Sequence, residues 1–178
     1  MKRITQFSLL TSAVMSLIAC SGKNYPDNIK PVNNFDLNQY LGTWYEVARL
    51  DHSFERGLEQ VTATYSMRED GGVKVTNKGF DVKDQVWSES IGKAYFVGDE
   101  NTGHMKVSFF GPFYGTYVVF DLDPDYQTAY VAGDDYGYLW LLSRTPEITE
   151  QQRKAFVQLV SSKGYAVDDL IWVNQSAK

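Results

Sequence analysis

The chain has 178 residues, 43% hydrophobic and 15% aromatic, with 17 Lys and Arg against 22 Asp and Glu and a single cysteine. This is enough apolar material for one packed domain, which excludes a disordered chain, and one cysteine excludes an internal disulfide framework. The acidic balance argues against a nucleic-acid partner.

Lys2 and Arg3 precede an uncharged stretch, Ile4 to Ala19, that reads as the n- and h-regions of a secretory signal and, at sixteen residues, is short for a membrane span. It ends in Leu17-Ile18-Ala19-Cys20, which resembles the bacterial lipobox, where the cysteine is diacylglycerated, the signal is cut before it and the new amino terminus is acylated. An ordinary signal peptide and an uncleaved anchor are the alternatives. On the lipobox reading, residues 1–19 are a lipoprotein signal peptide, Cys20 carries the lipid, and residues 20–34, with Pro26 and Pro31, form an extended linker to a domain over 35–178. At about 0.8 kcal/mol per buried CH₂, more than one acyl chain makes a stable anchor. Ser21, where inner-membrane lipoproteins carry Asp, implies by the same resemblance an outer-membrane location with the domain facing the periplasm. Loss of Lys2 and Arg3 takes the formal charge from −5 to −7 over the remaining 159 residues, so docking through a polybasic surface is not expected.

The body is dominated by period-two alternation of apolar residues between turn signals. Strands are predicted at 43–50, 61–68, 73–81, 86–97, 105–110, 115–122, 129–132 and 138–143, with Glu69-Asp70-Gly71-Gly72 a hairpin turn and 52–60 a longer loop. Eight strands over 35–144 average about fourteen residues each with their turns, as in an up-and-down antiparallel barrel. The interior of such a barrel is either filled by side chains or holds one small ligand. Thr149 with Gln152 then makes a capping-box pattern, and Phe156, Leu159 and Val160 a helical stripe ending near Gly164. The helix is expected outside the barrel, followed by a short ninth strand at 170–173 on an edge.

Three phrases in this order resemble the lipocalin family: Gly42-Thr43-Trp44-Tyr45-Glu46 at the first strand, 117–126 running into the acidic turn Asp123-Pro124-Asp125-Tyr126, and Trp140-Leu141-Leu142-Ser143-Arg144-Thr145-Pro146 before the helix. With the lipobox and Phe109-Phe110-Gly111-Pro112-Phe113-Tyr114-Gly115, the chain resembles the Blc-type bacterial outer-membrane lipocalins, relatives of apolipoprotein D. The resemblance implies an all-β, eight-stranded barrel that binds fatty acids and lysophospholipids for membrane maintenance under stress. Animal relatives pin the C-terminal segment with disulfides; with one cysteine, helix packing and the ninth strand must do so here. Gly42, Trp44 and Arg144 are read as closing one end of the barrel, with the guanidinium lying across the indole, a contact worth about 0.5–2 kcal/mol.

Alternation from Trp44 and Arg144 predicts that Glu46, Ala48 and Leu50, and Leu142, Trp140 and Tyr138, face inward. The expected ligand-binding residues are Ala48, Phe54, Val75, Asn77, Phe96, Val107, Tyr117 and Trp140, with a β-bulge able to reverse any strand's parity. Such a lining suits an acyl chain with its headgroup near the mouth. The loop 52–59 is implied to overhang the mouth as a lid, Phe54 covering ligand. The run 109–114 is a candidate for membrane contact or for association of two copies.

Catalytic chemistry has little material. His52 and His104 fall in predicted loops with no cysteine partner, so neither metal nor cofactor is expected, and there is no nucleophile elbow. The expected partners are a single-chain lipid and the outer membrane. A membrane-spanning barrel and a structural lipoprotein with a filled barrel are the alternatives.

Overall fold

The computed structural model describes residues 24–176. Eight antiparallel strands follow one another round a barrel: β1 Gly42–Arg49, β2 Leu58–Met67, β3 Val73–Asp81, β4 Val86–Phe96, β5 His104–Ser108, β6 Gly115–Leu122, β7 Thr128–Ala132 and β8 Leu139–Ser143. β1 closes the circuit by pairing with both β2 and β8. Helix α2, Glu150–Ser162, packs outside, and β9, Ile171–Trp172, pairs with β1. The eight strands, the helix and the ninth strand follow the expectations from alternation and capping. Thr149 and Gln152 cap reciprocally, at 2.8 Å and 3.2 Å, as the capping box requires.

Two hydrophobic clusters share the barrel wall. The inner one holds Trp44, Tyr65, Val75, Ala94, Met105 and Leu142; the outer one joins Val47, Ala48, Val118, Leu139 and Leu141 to Phe156 and Val160 of α2. Exposed charges on the uncovered strands, Lys74, Glu89 and Lys106, together with a helix over part of the wall, are unlike the lipid-facing surface a spanning barrel needs.

One end is shut. A short helix not foreseen from the sequence, α1 Leu37–Tyr40, is capped by Asp36, whose Oδ1 accepts from the Asn38 amide at 2.9 Å, and it lays Tyr40 on Trp44 with ring centroids 4.9 Å apart. The Trp44 indole donates to the Tyr40 carbonyl at 2.8 Å. The Arg144 guanidinium lies 3.9 Å above the Trp44 ring and donates to the carbonyls of Gln39, Tyr40, Leu41 and Thr43. Gly42 has φ +95°, and a Cβ there would also meet Arg144 Nη1 at 3.4 Å.

The terminal segments are more tightly held than the sequence suggested. Residues 24–34, expected as part of an extended linker, lie on the barrel: Ile29 is wholly buried in the outer cluster, and Val32 accepts from Gly103 and donates to Val119, each at 2.9 Å. Three apolar residues among polar ones carry no period, so this docking left no pattern to read. The ninth strand lies at the edge of the sheet, as expected, paired with β1 alone. β1 leaves β2 after Tyr45, and the C-terminal segment fills the gap: Val173 donates to Val47, Gln60 to Asn174, and the Gln175 amide to both Glu46 and Val61 carbonyls. Arg153 of α2 covers the Trp172 ring at 3.7 Å, so helix and strand hold the segment without a disulfide.

Arg144→Ala removes the stack and leaves several backbone acceptors unpaired. Urea unfolding should show a loss of about 2–4 kcal/mol, with Arg144→Lys intermediate. A loss below about 0.5 kcal/mol, normal for an exposed site, would refute closure by this residue.

Candidate ligand cavity

Period-two alternation points large apolar side chains inward from every strand, yet they do not fill the space. A cavity of about 460 Å³ opens at the end where β1 finishes and β6 begins, within the range of small-molecule sites. Its lower wall is apolar, with Val75, Ala94, Met105, Val131 and Leu142. Its mouth is aromatic: Phe54, Phe109, Phe110, Phe113, Tyr114 and Tyr138. Phe110 and Phe113 are each nearly four-fifths exposed, an apolar rim in the run singled out from the sequence.

A bulge sets the electrostatics. On β1, Glu46 opposes Leu142 but Ala48 opposes Leu141, so the extra residue, Val47, reverses the parity. Regular alternation would put Glu46 and Arg49 on opposite faces. The bulge turns both inward, where Arg49 Nη1 donates to Glu46 Oε1 at 2.6 Å. Arg49 Nη2 also donates to the carbonyls of Glu55, at 2.9 Å, and Leu58, at 3.2 Å. Glu55, from the loop between β1 and β2, accepts from the Trp140 indole at 3.0 Å through Oε2. All three charged residues are buried.

Two carboxyls facing one guanidinium in a dry wall cannot both ionise without large cost. Burial and then the Glu55 charge push the Glu46 carboxyl up to about 8, with Arg49 pulling the other way; burial raises Glu55 as well, against its bond from Trp140. The pair as a whole therefore binds a proton more readily than free glutamates do, with Arg49 held against Glu46. His52, also buried, is sandwiched parallel to Phe54 and Tyr138, 5.3 Å and 5.0 Å away, and lies 4.6 Å from Trp140. Burial, then the Arg49 charge, pushes it down to about 4, so its ring is neutral. The loop thus stacks onto the mouth through a neutral imidazole.

Residues 35–175 match the family described as "Lipocalin-like domain". The chain is a lipocalin. It is 50% identical over 173 residues to "Outer membrane lipoprotein Blc" of Citrobacter freundii, covering 97% of this chain and 98% of that one, and 51% identical to the Vibrio cholerae protein of the same name, covering 95% and 97%. Mouse apolipoprotein D is 26% identical over 80% of this chain and 78% of its own. Among solved structures, insecticyanin of the tobacco hornworm superposes with a TM-score of 0.67 at 19% identity, covering 83% and 85%, a likeness of fold.

Of the residues expected to line this lipocalin's interior, Phe54, Val75, Asn77, Val107, Tyr117 and Trp140 do so. Ala48 does not: the bulge turns it outward against α2, and Leu50 with it. Phe96 points inward but below the cavity, packed edge-on to Phe35 at 6.1 Å in the closed end. Cys20, the expected lipidation site, lies outside the described residues. Arg49, Glu55 and His52 were missed, although an arginine inside an otherwise apolar strand was a signal that the alternation breaks there.

The carboxyl pair gives the cavity wall a pH signature. A group whose folded value lies above its unfolded one, here 4.5, binds protons more readily when folded, so stability falls as pH rises through the interval up to about 8. His52 acts oppositely, but only below its unfolded value of 6.5. Between pH 6.5 and 8 the carboxyls act alone, and wild type should lose about 1–2 kcal/mol by urea unfolding. Glu46→Gln, which keeps an oxygen for Arg49, should flatten that slope; an unchanged slope would reject the assignment.

Proposed function

We propose that this chain is a non-enzymatic, lipid-anchored lipocalin that binds single-chain lipids, fatty acids or lysophospholipids, and stores or transports them in outer-membrane maintenance under stress. The observation that carries this is the open interior: an apolar, aromatic-rimmed cavity of about 460 Å³ in a barrel whose other end is shut by Trp44 and Arg144. An acyl chain can fill the lower part while its headgroup stays at the mouth, near Lys78 and Asp134, where water still reaches. A barrel filled by its own side chains would leave no such volume, which counts against a purely structural lipoprotein. Cys20 as the lipidation site, the Ser21 signal and relatives named outer membrane lipoprotein support attachment to the outer membrane with the barrel in the periplasm.

Two measurements test this. Mass spectrometry of lipid extracted from the purified protein should find fatty acid or lysophospholipid near one per chain, and titrating the emptied protein with either should quench fluorescence in wild type and far less in Trp140→Phe. No retained lipid and no quenching would remove the carrier reading. Cys20→Ser should move the protein from the membrane to the soluble fraction, and persistence in the membrane would reject the anchor.

A further inference from the structure

Three tyrosines meet at the deep end of the cavity. The Tyr117 hydroxyl lies 2.6 Å from that of Tyr40 and 2.7 Å from that of Tyr65. Three phenols carry three protons, and two contacts use two of them. Whichever way the bonds run, one proton is left over: on Tyr65 if Tyr117 donates to it, on Tyr40 if the chain runs the other way, on Tyr117 if both neighbours donate inward. Among the described residues no side chain or carbonyl outside the three forms a hydrogen bond with any of these hydroxyls. Tyr65 and Tyr117 line the cavity, whereas Tyr40 is wholly buried behind them against Trp44. A spare proton on Tyr40 would be sealed in the closed end without a partner, so the favoured arrangements put it on Tyr65 or Tyr117, and the cavity floor offers a donor that a hydrocarbon end cannot satisfy.

The acceptor that fits is neutral. The floor is walled by Val75, Met105 and Leu142, which cannot solvate an anion, and the two buried glutamates share the same cavity. We propose that the deep end is a subsite for a neutral oxygen acceptor, so that the preferred occupant is a single-chain lipid bearing a carbonyl or hydroxyl oxygen near its buried tail. This rests on the lipid-carrier reading and names the ligand class within it. The paired hydroxyls of Tyr65 and Tyr117 are then specificity-determining, because they decide which tail the floor accepts.

The test compares matched ligands on the mature chain, residues 20–178 with Cys20→Ser, whose described part forms the whole closed barrel. Saturated fatty acids of twelve to eighteen carbons are titrated beside the same acids carrying a ketone next to the terminal methyl, which can accept a hydrogen bond but not donate one. At the length that reaches the floor, the keto acid should bind about tenfold more tightly than its parent. A ¹³C label on that ketone should move downfield on binding. Tyr65→Phe/Tyr117→Phe should abolish both the preference and the shift while still binding the parent acid. Parent acids binding as tightly as their keto partners at every length, or no downfield shift, would overturn the proposal from wild type alone, even if the double variant does not fold. A preference surviving in a folded double variant would overturn it too. Binding of neither series would remove the carrier reading and this subsite together.

Discussion

The stack of Arg144 on Trp44 is the contact on which the rest of this barrel depends. Tilted strands can close side to side through hydrogen bonds, but nothing in a ladder seals the ends. Here one guanidinium, placed just past the end of β8, caps an indole from the start of β1 and collects the carbonyls that α1 leaves unpaired. First strand, last strand and the crossing segment are thereby tied at one point. The asymmetry of the molecule follows: a floor that is dense, aromatic and hydrogen-bonded, and a mouth left to loops.

The interior then divides into zones of different chemistry. Low in the barrel the lining is hydrocarbon over a knot of phenols; halfway up, two buried carboxyls flank one arginine; at the rim, exposed phenylalanines surround the opening. Burying three charged side chains is tolerable only because they arrive together with their partners. Glu55 comes from the loop rather than the wall, so loop position and wall electrostatics are coupled through Arg49 and the Trp140 indole.

Much of this was legible in the sequence because alternation is a local code. Every strand of the barrel lies close to its predicted bounds, and six of the eight residues expected to bind ligand line the cavity. What escaped was whatever breaks locality. The bulge at Val47 is a single extra residue with no composition of its own, yet it carried Ala48 out and Arg49 in. Phe96 had the right parity, but depth along a barrel depends on how neighbouring strands are staggered, which no single strand records. The docking of residues 24–34 depends on Ile29 meeting a surface assembled from β6, β7, β8 and α2.

The filling of the gap between β1 and β2 by residues 171–175 has a bearing on the order in which this molecule can be made. Those residues are the last of the barrel to leave a ribosome. Until they arrive, the carbonyls of Glu46 and Val61 and the amide of Gln60 face an open seam where β1 has parted from β2. A chain made from its amino end therefore keeps this seam unlatched until its last barrel residues are in place.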